Sequence, residues 1–468
     1  MGDTQRSQTM SPKNQGIAGQ AVLNCERTFI DLESEKPPIL VGQSSLEWIK
    51  VLARDEPDVV FTSLAHRIDL HMLKQSFRQV RGSKSCGVDR MTAKEYARHL
   101  DANLYNLLQR LRRGQYVAQP VKRIWIDKEG GKKRPIGITA LEDKIVQKAV
   151  ATILNAVFDR NFHGFSHGFR EGHSQHMALD ELREQCREMN INWIVDADVS
   201  GFFDNIDKKM LVEMIKQRVN DGGILRLIGK WLNAGVDESG ELMYPEKGTP
   251  QGAVISPLLS NIFLHYVLDD WFVKEVKPNL KGRSFLVRFA DDFIIGCEAK
   301  SDAHRVLEML GKRFEKFALS LHPEKTKLLP FGKPAMTVKV DKWNGTFNFL
   351  GFTFYWSKAR KGYWVIKKKT MKKRLSRFLK GIWEWCSENR HEPIKDQHQD
   401  LCAKLRGYYQ YYGVRGNFKA LEVVYEHMEK AWRFWLSRRS HTGGISWLKF
   451  EKIRATFPFP KPRIIHNI

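Results

Sequence analysis

The chain is 468 residues long and 42% hydrophobic, and its 77 Lys and Arg outnumber 53 Asp and Glu for a formal net charge of +24. That length exceeds one ordinary core, and so large a cationic excess repels itself unless a polyanion neutralises it. No stretch approaches the ~20 apolar residues of a membrane span, and no basic-then-apolar leader opens the chain, so no membrane partner is expected.

Residues 1–42 are polar, rich in Gln, Ser and Gly, and read as a mobile leader. Helical periodicity follows in SSLEWIKVLA, SLAHRIDLHMLKQSFRQV and AKEYARHLDANLYNLLQRLRRG. VKRIWID, a Gly-Gly turn and KRPIGIT predict a cation-rich hairpin. The helix ALEDKIVQKAVATILNAVF and a Gly- and His-rich loop lead to NWIVDADV, a buried-type strand running into SGFFDNID and a helix. After EKGTPQGAVISP come a long apolar helix, the hairpin LVRFADDFIIG, the helix DAHRVLEMLGKRFEKFALSL and a strand FNFLGFTFYW.

This mixture lacks the regular βαβ beat of a doubly wound sheet and predicts an α+β core. From residue 366 the chain reads as helical, basic and aromatic, beginning with KKKTMKKRLSRFLKGIWEWC. The expected divisions are therefore 1–42, 43–190, 191–365 and 366–468. The six cysteines (Cys25, Cys86, Cys186, Cys297, Cys386 and Cys402) form no C-x-x-C pair, which points to free thiols in a reducing setting, cytoplasmic or its organellar equivalent.

Asp291 and Asp292 stand side by side between two strand-like apolar arms, at the tip of a tight hairpin. Burying such a pair unneutralised is expensive. Asp269–Asp270 reads instead as the solvated face of a helix, and Asp204 and Asp207 as turn formers. Asp198 ends its own apolar strand, WIVDADV. Carboxylates gathered at strand ends suit a hard divalent cation such as Mg²⁺, and two ions a few ångströms apart would serve nucleotidyl transfer.

In order along the chain, DADVSGFFDNID, KGTPQGAVISPLLSNIFL, RFADDFIIG, LHPEKTK and FNFLGFTF resemble the successive blocks of a reverse transcriptase. They are most similar to the reverse transcriptase/maturases encoded by group II introns, from about residue 57 to the C-terminus. The resemblance implies a right-hand polymerase of fingers, palm and thumb with a helical maturase domain. It implies an RNA-directed DNA polymerase that binds intron RNA, copies an RNA template from a DNA primer with dNTPs, and acts on a target DNA. By resemblance Asp198, rather than Asp196, joins Asp291 and Asp292 as a catalytic ligand of two Mg²⁺ ions, with the Val199 carbonyl as a further oxygen.

The resemblance also makes Phe203 a steric gate against a ribose 2′-hydroxyl and Gln251 a lining of the nucleotide pocket. Arg134, Lys122 and Lys128 would clamp the triphosphate, and Lys325 matches a position proposed to protonate the leaving pyrophosphate. Phe349–Phe352 matches the primer-grip strand. Phe289 stands where the family commonly has Tyr, so its ring packs near the primer end without a hydroxyl. Arg170 and the run Lys367, Lys368, Lys372, Lys373 and Arg374 are expected to contact RNA. His163, His167, His173 and His176 leave zinc as an alternative within the same Gly-Phe-Arg loop.

The paired cysteines of the endonuclease that many relatives carry are absent, so no second-strand cleavage is expected. Two other readings stay open: a splicing-only RNA-binding maturase, and a reverse transcriptase domesticated for defence or DNA repair.

Overall fold

The computed structural model describes residues 43–82, 85–127, 133–249, 252–337, 345–439 and 444–468. Its eleven described strands are β1 (Val121–Asp127), β2 (Lys133–Ile138), β3 (Trp193–Ala197), β4 (Val236–Glu238), β5 (Glu241–Met243), β6 (Ser284–Phe289), β7 (Asp292–Cys297), β8 (Lys327–Pro330), β9 (Thr346–Phe349), β10 (Phe352–Lys358) and β11 (Trp364–Thr370). They form three sheets, ordered β2-β1-β4-β5, β6-β7-β3-β8 and β11-β10-β9. With the surrounding helices this is a mixed α+β fold.

The sheet β6-β7-β3-β8 is covered on both faces, which explains why SFLVRF and FIIGC are almost continuously apolar. Ile194, Phe285, Val287 and Ile294 pack against Leu179 and Leu182 of helix Gln175–Glu188. On the other side Val195, Leu286, Phe293 and Ile295 meet Val306, Leu310 and Phe314 of helix Lys300–Lys316. Helix Leu141–Phe158 is buried nearly all round, and its Asp143 is satisfied by the Tyr116 hydroxyl and the Gln119 N–H. The apolar helix Ser256–Leu264 continues into two π-helical turns, His265–Asp269 and Phe272–Val276.

Two sequence expectations are corrected here. FNFLGFTFYW is two strands rather than one, because Leu350 and Gly351 both take positive φ (47° and 77°) and reverse the chain into the β9–β10 hairpin. The helical C-terminal part does not begin at 366, since Trp364–Thr370 pairs along all seven residues with β10. Helices start at Lys372, and Lys372–Glu388, Ile394–Tyr412, Phe418–Leu436 and Trp447–Thr456 enclose Ile382, Leu405, Trp432 and Phe450. The leader 1–42 lies outside the described residues. Among the described residues no helix is long and apolar enough to cross a membrane.

Candidate active site

β3 and β7 run antiparallel with Ala197 opposite Phe293, so the chain leaves β3 at Asp198 just where β7 begins at Asp292. Asp291 lies in the turn between β6 and β7, closed by the Phe289–Asp292 pair. The segment after β3 is held as well. The Asp198 carbonyl accepts the His322 N–H at 2.7 Å, the Ser200 N–H donates to Ser320 at 2.8 Å, and Val199 bridges Leu321. A Lys325 ammonium is ion-paired with the Asp198 carboxylate.

The four carboxylates feel one another. Enclosure by protein pushes Asp292 up to about 7, with the charges of Asp196, Asp291 and Asp198 adding to it. The side chain keeps solvent access through the mouth of the site, so enclosure here means a cleft rather than a sealed core. Asp196 is pushed up to about 6 by burial and then by Asp198. Asp291 is raised by burial and by Asp198, while the charges of Arg134 and Arg288 oppose the shift. Asp196 is therefore a fourth member of the cluster, although the resemblance, which assigns the catalytic role to the Asp directly before Val199, leaves it out.

The β1–β2 hairpin comes near enough to this cluster for the Arg134 charge to act on Asp291. Its register places Arg134 opposite Ile126 and Ile136 opposite Ile124, so Arg134, Ile136 and Lys122 share one face. That face meets Gly252, whose φ is 105° and where a Cβ would lie only 2.6 Å from the Gly137 carbonyl oxygen, so no larger residue fits. Arg123 lies on the other face in an ion pair with Glu238. Phe203 is half-buried against Phe202, and its carbonyl accepts the Thr249 N–H at 2.8 Å. Phe289, like Leu350, Tyr411 and Tyr412, is partly buried against the apolar cluster that contains Val287, Phe349 and Phe352. The β9–β10 turn reaches the site, for the Leu350 N–H favours the ionised form of Asp292 and the Tyr411 hydroxyl donates to the Leu350 carbonyl at 2.9 Å. Lys128 and Gln251 lie outside the described residues.

Other expectations fail in the structure. Asp269 is not on a solvated face: it is fully buried and grips the equally buried Arg288 at 2.5 Å. The Arg170 guanidinium donates to Asp159 and to the carbonyls of Asp159, His163 and Ser166, so its donors staple a loop instead of facing RNA. Lys368 is buried, and burial lowers its ammonium to about 8. β-strand alternation turns it inward, while Lys372, Lys373 and Arg374 remain exposed and Lys367 half-buried. The loop histidines also diverge. His167 bonds Glu181 and His173, His176 bonds the Tyr411 carbonyl, and His163 joins His265 and Asp270. Asp270 is already shared by His163 at 2.8 Å and Lys274 at 2.6 Å.

A family profile described as reverse transcriptase (RNA-dependent DNA polymerase) matches residues 126–354. The group II intron-encoded protein LtrA of Lactococcus lactis subsp. cremoris is 34% identical across 61% of this chain and 47% of its own length. Protein YkfC of Escherichia coli strain K12 is 31% identical across 53% of this chain and 73% of its own. Nuclear intron maturase 1, mitochondrial, of Arabidopsis thaliana is 30% identical over a shorter stretch, 24% of this chain and 17% of its own. The chain thus spans about half the length of the intron-encoded relative it matches.

Proposed function

The chain belongs to the reverse transcriptases of the group II intron-encoded kind, and from that premise we propose that it is an RNA-directed DNA polymerase that also serves as an intron maturase. One observation carries this reading: carboxylates from β3 and from the β6–β7 tip crowd together near a cation-bearing hairpin. In the right-hand layout the β1–β2 hairpin belongs to the fingers, the β6-β7-β3-β8 sheet to the palm, and the C-terminal helices to the thumb and maturase part. The substrates are dNTPs, an RNA template and a DNA primer; the partners are intron RNA and a target DNA.

The donor set fits a divalent cation. Hard carboxylate oxygens are gathered so that, besides burial, the charges of Asp196, Asp291 and Asp198 raise Asp292, and the Lys325 ammonium pairs with Asp198. Asp198, Asp291 and Asp292, with the Val199 carbonyl, would hold two Mg²⁺ ions. When bound, such ions would supply Lewis-acid neutralisation of the charge that develops during nucleotidyl transfer. Arg134 and Lys122 present phosphate-binding donors from the hairpin face, and Arg134 does so with a planar fork. The Phe203 ring would act as the steric gate against a ribose 2′-hydroxyl, and Gly252, with no Cβ, would allow the backbone to approach the nucleotide. Phe289 and the β9–β10 turn support the primer end. Lys367, Lys372, Lys373 and Arg374 offer charge to RNA phosphates.

Primer extension on an RNA template with dNTPs and Mg²⁺ tests the reading. Full-length product is expected from the wild type, and Asp291→Asn should lower the rate by at least about 100-fold, because one ligand of the charge-stabilising ions is lost. Absence of product from the wild type leaves only the RNA-binding role.

A further inference from the structure

The tip that carries Asp291 and Asp292 is gripped from behind by a charge pair outside the reacting atoms. Arg288 and Asp269 are both 0% exposed. The guanidinium donates in a fork, Nε to Asp269 Oδ1 at 2.8 Å and Nη2 to Oδ2 at 2.5 Å. Its remaining nitrogen, Nη1, donates to the Asn261 side chain and to the Ala290 carbonyl, each at 2.9 Å. Ala290 is the residue before Asp291, and its φ of 59° is a left-handed conformation that a non-glycine residue adopts only at a cost.

Neighbouring segments complete the clamp. The Arg288 backbone is bonded on both sides to the 165–168 loop, through the Phe165 carbonyl and the His167 N–H, each at 2.9 Å. Asn261 donates to the Gly168 carbonyl at 2.6 Å, and a Cβ at Gly168 would run into the Ala290 backbone. Asp269 reaches Arg288 from a π-helical turn, a local widening found frequently at functional sites. A buried ion pair adds little net stability over apolar side chains of similar size, so stability alone does not account for this one.

We propose that Arg288 and Asp269 are positioning residues that fix the turn at Ala290 and thereby the spacing of the Asp291 and Asp292 carboxylates for a divalent cation. This rests on the polymerase reading, since it supposes that those carboxylates hold the cation. The fork is the essential feature. A lysine keeps the charge, but its three donors sit on one nitrogen and cannot reproduce the four bonds to Asp269, Asn261 and Ala290.

The test uses the full chain, with Mn²⁺ affinity read by electron paramagnetic resonance alongside primer-extension kinetics and circular dichroism. Arg288→Lys should weaken Mn²⁺ binding and kcat by about 10- to 100-fold, as loss of a ligand-orienting partner does. KM for dNTP should stay within about twofold, because nucleotide contacts are untouched. The double variant Arg288→Met/Asp269→Leu leaves no uncompensated buried charge and should fold while showing the same loss. A folded double variant with wild-type Mn²⁺ affinity and kcat overturns the proposal. If the double variant does not fold, Asn261→Ala decides: weaker Mn²⁺ binding with unchanged circular dichroism supports it, and unchanged binding overturns it. Should the wild type bind Mn²⁺ yet copy no RNA, the polymerase reading fails, and the variants' Mn²⁺ affinities alone decide the positioning role.

Discussion

Burial first, and then the charges of neighbouring carboxylates, pushes Asp196 up to about 6 and Asp292 up to about 7 against an ordinary 3.8. The folded site therefore holds protons more tightly than the unfolded chain does. That contribution to stability is fully present below about pH 4 and is lost as pH rises through the two folded values. A divalent cation requires the ionised forms, so it competes with those protons. The rise in thermal midpoint on adding Mg²⁺ is accordingly expected to be small at pH 5 and to grow towards pH 8; scanning fluorimetry across that range measures it. A Mg²⁺ effect that shrinks with rising pH would contradict the carboxylate cluster. Asp198, Asp291 and Asp292 were legible because each sits inside a contiguous motif. Asp269 was not, for its partner Arg288 lies 19 residues further along the chain and nothing local to LHYVLDDWF announces a buried cation.

Elements meet the site through close backbone approaches. The 165–168 loop runs directly behind the β6–β7 tip, and Gly168 faces the Ala290 backbone, which cannot yield as a flexible side chain would. Gly168→Ala should therefore overpack this contact at a cost of about 1–3 kcal/mol and displace the hairpin. A lowered urea midpoint with a loss of primer extension larger than stability explains is the expected result; unchanged values for both would show that the loop moves aside freely. The β9–β10 turn shows why pattern reading stopped short. Apolar alternation continues through FNFLGFTF, so Gly351 was the only local sign of a reversal, and Leu350 adopts its left-handed conformation against the Tyr411 hydroxyl. Similarly, the lysine-rich segment 367–369 reads as the start of a basic helix, whereas pairing with β10 makes it a strand and turns Lys368 inward.

Across the whole molecule the charge is the dominant fact. A surplus of +24 implies affinity that depends on releasing counterions from a polyanion. RNA binding measured by fluorescence anisotropy should fall steeply as salt rises from about 50 to about 200 mM. Replacing Lys372, Lys373 and Arg374 together by Gln should lower the slope of log affinity against log salt by about 2–3, near one unit per phosphate contact removed. An unchanged slope would place the RNA elsewhere on the surface.

The family and the order of its acidic motifs were readable from residue order, because motif spacing and charge are properties of the chain itself. The fold alone selected the company these residues keep: Asp196 beside Asp292, Arg288 locked to Asp269, Arg170 spent on its own loop. Such partnerships join segments far apart in sequence, and burial, which sets both their strength and their titration, exists only once the chain has packed.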